Sequence, residues 1–425
     1  RYHHVLTFVA GILTSSNLQS HDELQEMALK LLVLWTPKEL TRATFEVFEC
    51  SNNNNSSYND SNSVSSSPLN VIISGIDRYQ SKPCIMAEVF AVLGNFCLDR
   101  TAKSKIISSG AVSKIVHVME QHKLHNVNSP AHQYGVPTMG MGLFCNFITE
   151  CATITTFEDM DVLQCFFDTM LEYPMLYQIQ DIGLKAIRKL CLNSEEFTAK
   201  MISHCGLKVI VSAMKNHVDS ASLVKTGFTI LWGMGANHAI RRMVGQVGGN
   251  AVAILSLLVH INNPDVVLEA LGMLTTLVTD GNNRVDLLNS ENASCDTILN
   301  LAMKVHYDNA EVQARGCHIL SVLIIDQTHN TVSPLTEEQL FLILKALQHH
   351  LFSEEVQVKA CVLLKNFTFS RANVELMRRC EGLRETLEIT ADTFPQSCME
   401  RVLYINDQIR RAEARDRSLR SLVGQ

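Results

Sequence analysis

Four histidines, His117, His122, His125 and His132, lie close together in the chain. Neutral imidazole is a good zinc ligand, but a structural zinc site needs four ligands held at compact, rigid spacing. These four straddle the end of an apolar helical pattern and a polar stretch carrying Pro130 and Gly135, so their spacing predicts no metal. His238 and His318 occur singly on helical patterns and read as surface or hydrogen-bonded interior residues. The string VGQVGGN at Val244 to Asn250 superficially resembles a dinucleotide-binding loop. No strand pattern precedes it, and a corner between two helices explains it better. Neither a G-x-S-x-G nucleophile elbow nor a G-x-x-x-x-G-K-[ST] phosphate loop occurs. The residues therefore predict no catalytic group, no cofactor and no enzyme.

The elements that would position any site are helical. The 425 residues are 46% hydrophobic, with only 9 prolines, 20 glycines and 6% aromatics, a balance that favours helices over sandwiches or barrels. Length exceeds that of one ordinary domain, so several domains or an elongated repeat array is expected. A net charge of −7 supplies no whole-chain field for nucleic acid or an anionic membrane. The 13 cysteines form no C-x-x-C pair and mostly sit in apolar helical stretches, as at Cys97, Cys145, Cys191, Cys317 and Cys361. They read as small buried hydrophobes in a reducing compartment, the cytoplasm or nucleus. The apolar segment Val5 to Leu13 is short and lacks a signal-peptidase site, and the uncharged run at 244–264 is too broken to span a bilayer.

Internal periodicity organises the rest. Seven segments share one apolar pattern and end at Phe96, Phe147, Leu190, Met234, Leu277, Leu323 and Phe367, separated by 51, 43, 44, 43, 46 and 44 residues. A second column, Gly110, Gly206, Gly249, Asn292 and Gly382, precedes apolar runs and supplies residues that tolerate positive φ at sharp helix corners. A third column, Asp99, Glu150, Asn193, Asn237, Asp280, Asp326 and Ser370, holds mostly N-cap residue types and predicts the helix starts. Capping accounts for its uncharged members better than an acidic binding strip does, and Asn193 with Glu196 has capping-box spacing. Each unit thus reads as a short helix, a corner, a second helix and a longer third helix.

The strings IISSGAVSKIVHVM and VFAVLGNFCLD resemble the armadillo repeat, and the resemblance runs from near Leu69 to near Ala391. It implies an all-α, right-handed superhelical solenoid of about seven to eight repeats with helical caps, in which third helices line a concave groove that binds partner segments. One column on that wall reads Asn95, Asn146, Lys189, Gly233, Thr276, Val322 and Asn366. In armadillo proteins that bind extended peptides, such asparagines clamp the peptide backbone through their paired amide donor and acceptor. One turn earlier stand Ala91, Gly142, Lys185, Thr229, Gly272, His318 and Val362, without a tryptophan. Import adaptors of the family use a tryptophan ladder there, so the resemblance disfavours an import adaptor. Lys185, Arg188 and Lys189 on one helix could meet an acidic segment. The expected binding residues are Asn95, Asn146, Lys185, Arg188, Lys189, Thr229, Thr276, His318 and Asn366.

The expected layout is a helical cap at 1–48, a disordered Asn/Ser tract at 49–69, repeats at 70–392 and a closing helix with an Arg-rich tail at 393–425. A polar insertion at 122–136 would project from the edge of the array. Phe157 to Leu171 supplies an apolar helix without a corner glycine. The leading functional expectation is an interaction scaffold binding a protein or peptide segment of acidic character, with neither nucleic acid nor membrane insertion. Because the chain opens on Arg1 and not Met, the second reading is a regulatory or targeting region of a larger polypeptide, one that could include an enzyme.

Overall fold

A computed structural model describes residues 8–13, 15, 18, 21–35, 68–123, 135–147, 160–193, 195–203, 205–289, 295–326 and 331–423. The Asn/Ser tract, most of the 122–136 insertion, and the residues Glu150 and Asn292 lie outside them. The chain divides into two compact units, 1–209 and 210–425, with the boundary inside the helix Gly206–Asn216. Both are built almost wholly of helices arranged as armadillo-type repeats.

In the first unit the third helices Asp22–Trp35, Pro83–Phe96, Gly135–Phe147 and Tyr177–Asn193 pack side by side in chain order. The second helices Pro68–Tyr79, Ala111–Gln121 and Met160–Glu172 form a parallel row. In the second unit the third-helix row is Ala221–Met234, Pro264–Leu277, Ala310–Leu323, Glu354–Phe367 and the closing helix Pro395–Val423. Its second-helix row is Gly249–Val259, Cys295–Val305, Glu337–His349 and Leu383–Thr393. The aromatics that end the repeats, Phe96, Phe147 and Phe367, are fully buried between the rows together with Phe90, Phe144 and Phe228. Truncating one of them to alanine would cost about 3–5 kcal/mol through lost transfer energy and the cavity left behind.

Helix starts follow the sequence expectation where it can be read. The Asp99 carboxylate accepts from the Ala102 amide at 2.9 Å, and Asn237 accepts from the Ala239 amide at 2.8 Å. Asp280 accepts from Asn282 and Asn283 at 3.0 and 3.2 Å. Ser370 stands at a cap position without a hydroxyl bond of its own. Two members fail. Asn193 is the last residue of its helix and the next opens at Glu195, so it is no N-cap. Ile325–Asp326 instead pairs with Thr331–Val332 as a two-residue antiparallel ladder, and the first helix of that repeat is replaced. The next helix waits for Thr336, whose hydroxyl accepts from the Gln339 amide while Gln339 reaches back to the Thr336 amide.

The corners are correct at Gly110 and Gly382, with φ of 74° and 77°, but shifted by one residue elsewhere. Positive φ falls on Gly248 (92°), not Gly249, and on Cys205 (62°), not Gly206. Close approach is what requires glycine at the shifted positions. A Cβ on Gly249 would lie 2.7 Å from the Val244 carbonyl oxygen, and one on Gly206 the same distance from that of Met201.

Two columns of polar side chains stitch the repeats. Gln25, Gln180, Gln313 and Gln357, each the fourth residue of a third helix, are buried. Each donates Nε2 to two backbone carbonyls preceding that helix; for Gln180 these are Met170 and Tyr173, and for Gln357 they are Leu347 and His350. Such carbonyls at a helix end have no intrahelical donor, so the glutamine satisfies groups that burial would otherwise leave unpaired. The second column is histidine. His122, His260, His306 and His350 place Nε2 at 2.6–2.8 Å from the carbonyls of Gln80, Val218, Ile261 and Tyr307 in the preceding repeat. A carbonyl only accepts, so each Nε2 carries the proton.

No single helix among the described residues is long and apolar enough to cross a membrane. The apolar run at 251–259 belongs to Gly249–Val259, set at 70° to His238–Gln246.

Candidate functional site

The third-helix faces are where partners would be met, and the two units present different chemistry there. On the first unit Asn95 is half-buried on Pro83–Phe96. Asn146, on the adjacent helix, is also half-buried and donates Nδ2 to the Gly94 carbonyl at 2.9 Å. The amide thus ties two third helices together. Lys185, Arg188 and Lys189 are all exposed on the next helix, Tyr177–Asn193. Lys185 is paired at 2.6 Å with Asp181 one turn earlier, a hydrogen bond that pushes its ammonium above the ordinary lysine value. Burial pushes up the thiol of half-buried Cys145, and the charges of Lys189 and Lys185 pull it back. Both lysines therefore stand beside the helix that carries Asn146.

On the second unit Thr229 is half-buried and bonds Lys225 O at 3.0 Å and Glu269 Oε2 at 3.3 Å. Thr276 donates to Met273 O at 2.7 Å. Asn366, like Asn146, donates Nδ2 to the preceding third helix, at Ser321 O, 2.9 Å away. His318 is half-buried; burial and the Lys359 charge lower its pKa, with Glu355 opposing. It is therefore neutral near pH 7, a hydrogen-bonding rather than a charged surface group.

The tryptophan found absent from one column stands three residues along the same helix. Trp232 is 37% exposed on Ala221–Met234, and the Arg315 guanidinium stacks over its ring with 4.8 Å to the centroid. Gly272, on the third helix between them, leaves the space: a Cβ there would lie 2.7 Å from Arg315 Nη1 and 3.1 Å from the indole. Arg315 also donates to Leu268 O and pairs with Glu311. Three consecutive third helices are thus latched by one cation–π contact. Sequence reading missed it because only the combination of Trp232, Gly272 and Arg315 across two repeat intervals reveals it. Further along, Lys365 lies over the Tyr404 ring at 5.3 Å.

Residues raised as possible chemistry are otherwise engaged. The His122 ring is spent on Gln80, and the exposed His117 contacts Gln121 at 2.9 Å, while His125 and His132 lie outside the described residues. Among the described residues no three His, Cys, Asp or Glu side chains gather closely enough to hold a metal. The Val244 to Asn250 string forms a helix corner, as expected. Burial raises the Cys317 thiol to about 12 and the Cys191 thiol to about 11, which keeps them protonated and inert.

A family model described as the LRRK2 ARM repeat matches residues 245–397. A solved structure from work on a phosphorylation switch in the interaction between cadherin and beta-catenin superposes with a TM-score of 0.55 at 13% identity, over 96% of this chain and 83% of that one. UNC-45 from Drosophila melanogaster (TM-score 0.40, 10% identity, 97% of this chain, 63% of that) and She4p (0.27, 11%, 96% and 72%) align too loosely to carry an argument. No curated protein sequence matches. The helical repeats, their corners and caps, the family-model match over 245–397 and the superposition at a TM-score of 0.55 together show an armadillo-type α-helical repeat fold.

Proposed function

We propose that the chain is a non-catalytic protein-binding scaffold that takes an acidic segment of a partner along the third-helix face of its first unit. Armadillo folds commonly mediate protein–protein contacts, so binding is the functional class the fold favours. The observation that carries the finer reading is the exposed cluster of Lys185, Arg188 and Lys189, one helix away from Asn146 and two from Asn95. Three cations on one helix surface raise the local concentration of an acidic segment and speed its capture. Asn95 contributes an amide to the same face. Thr229, Thr276, His318 and Asn366 form a second, more nearly neutral face on the second unit. The thiols raised by burial fit a reducing compartment, cytoplasm or nucleus.

The test uses short labelled peptides of glutamate-rich, neutral and lysine-rich composition, titrated against the intact chain with and without Lys185→Glu and Arg188→Glu. Selective binding of the acidic peptide, lost in the variant and weakened by salt, supports the reading. Equal binding of all three peptides removes it. The second reading, a regulatory or targeting region of a larger polypeptide, draws on the match at 245–397 to a repeat region of another protein. The full gene sequence decides it.

A further inference from the structure

Helix Gly249–Val259 carries no charged residue, and its two polar side chains, Asn250 and Ser256, are buried. What it turns outward is Ala251, Leu255, Leu258 and Val259, spaced i, i+4, i+7 and i+8 along one stripe. On the neighbouring second helix, Cys295–Val305, the same stripe reads Thr297, Leu301, Lys304 and Val305; each helix is followed directly by a column histidine, which fixes the equivalence. The five large apolar side chains are 36–43% exposed. These outward places are mostly polar elsewhere: Ser212, Lys215 and Asn216 one repeat before Gly249–Val259, and Lys345, Gln348 and His349 beside Phe341 two repeats after it. A helix that is apolar on every side belongs in an interior, and an apolar patch rimmed by polar residues marks a contact surface. We propose that this second-helix face of the second unit binds a second copy of the chain, in an antiparallel two-fold contact centred on Leu255 and Leu301.

The patch is complementary to itself in that arrangement. A two-fold that sets each helix antiparallel to its own copy lays Leu255 against Leu255 and small Ala251 against branched Val259. Leu301 meets Leu301 and Thr297 meets Val305 in the same way. Charge follows the same register. Cys295–Val305 carries Asp296 in its first turn and Lys304 in its last, so reversal brings Lys304 of each copy towards Asp296 of the other. The pair that Lys304 makes with Glu338 at 3.0 Å is solvent-facing and a weak restraint on this exchange. A lipid surface is the poorer occupant, because Asp296, Glu337 and Glu338 border the patch and would face anionic headgroups. Five partly exposed side chains bury too little for an obligate dimer, so association in about the micromolar range is expected. The contact lies on second helices and leaves the third-helix faces free, so it does not rest on the acidic-segment reading.

The experiment is sedimentation velocity on the intact chain across about 1–200 µM, a range that brackets the expected affinity. A reversible monomer–dimer equilibrium is the expected result. Leu301→Glu and Leu301→Lys should each weaken it by roughly tenfold or more, because each sets like charges face to face, and an equimolar mixture of the two should dimerise again as the glutamate of one copy meets the lysine of the other. In a Cys205→Ser background, a short bis-maleimide should link Leu255→Cys into a covalent dimer and leave Ile389→Cys monomeric, although that position is similarly exposed on the second helix Leu383–Thr393. If either Leu301 variant melts early, this comparison decides alone. A monomer at every concentration, with the face left bare or taken by another protein or a lipid, would overturn the proposal. A dimer indifferent to both Leu301 changes, a mixture of the two folded variants that stays monomeric, or equal cross-linking at 255 and 389 would overturn it too.

Discussion

The third-helix faces of the two units differ in how their charges are spent. On the first, Arg188, Lys189 and Lys185 are exposed on one helix, and Lys185 pairs with Asp181 one turn earlier. On the second, cations are matched within the wall: Lys225 with Asp265, Arg315 with Glu311 and the Trp232 ring, Lys365 with Tyr404. The first unit thus gathers three cations on one exposed helix, whereas the second uses Lys225 and Arg315 to join neighbouring third helices. An extended acidic ligand would gain attraction on the first unit, and on the second would have to displace contacts already made.

Breaking the scaffold beneath each face should give the largest effect. Gln180→Ala and Gln357→Ala each leave two buried carbonyls without a donor, and each should cost about 3 kcal/mol in chemical denaturation. Similar losses in both variants would show that the units share one stitching device and differ only in surface; a negligible loss in either would break that equivalence. The charge contrast comes next. Reversing Lys185 and Arg188 should weaken acidic-peptide binding by about 30-fold, roughly 2 kcal/mol, whereas Lys359→Glu on the second unit should change it little.

Trp232→Ala should lower stability by about 1–2 kcal/mol through the lost ring packing and cation–π contact, leaving acidic-peptide affinity unchanged. A large affinity loss would instead place the ligand on the second unit. The smallest effect concerns pH. Asp280 is almost fully buried, which alone would raise its pKa, but the amides of Asn283 and Asn282 and the Arg242 charge outweigh burial and hold it below the ordinary aspartate value. A lowered carboxyl stabilises the fold above the unfolded value, about 3.9, and loses that contribution as pH falls through the folded value. Asp280→Asn, which keeps an N-cap oxygen but loses the charge, should be slightly less stable than the wild type at pH 7 and show a flatter acid limb in a stability–pH curve, the two curves converging at low pH.

Much of the fold was legible in the sequence because repeat spacing and cap chemistry are local signals. Phe96 to Phe367, Asp99, Asn237, Asp280 and the corners at Gly110 and Gly382 fell where spacing put them. The one-residue shift at Gly249 and Gly206 escaped because glycine serves two needs, positive φ and close approach, and a sequence does not say which. The pairing of Ile325–Asp326 with Thr331–Val332 escaped because Asp326 is as good a cap type as its column mates. The buried glutamines carried a readable sign, an identical fourth residue in DELQ, YQIQ, AEVQ and EEVQ. The histidines recur 46 and 44 residues apart from His260 to His350. That Asn146 and Asn366 each bond the preceding third helix was not legible, because an amide suits either a ligand backbone or a neighbouring helix, and packing decides which it meets.

The central claim, that the first unit offers its basic third-helix face to an acidic partner, is tested most directly by titrating a fluorescent glutamate-rich peptide into the intact chain across a range of salt concentrations. The account predicts saturable binding that weakens with salt and falls by about 30-fold in the Lys185→Glu, Arg188→Glu variant, which melts normally. Binding unchanged in that variant, or no preference over a lysine-rich peptide, would contradict it.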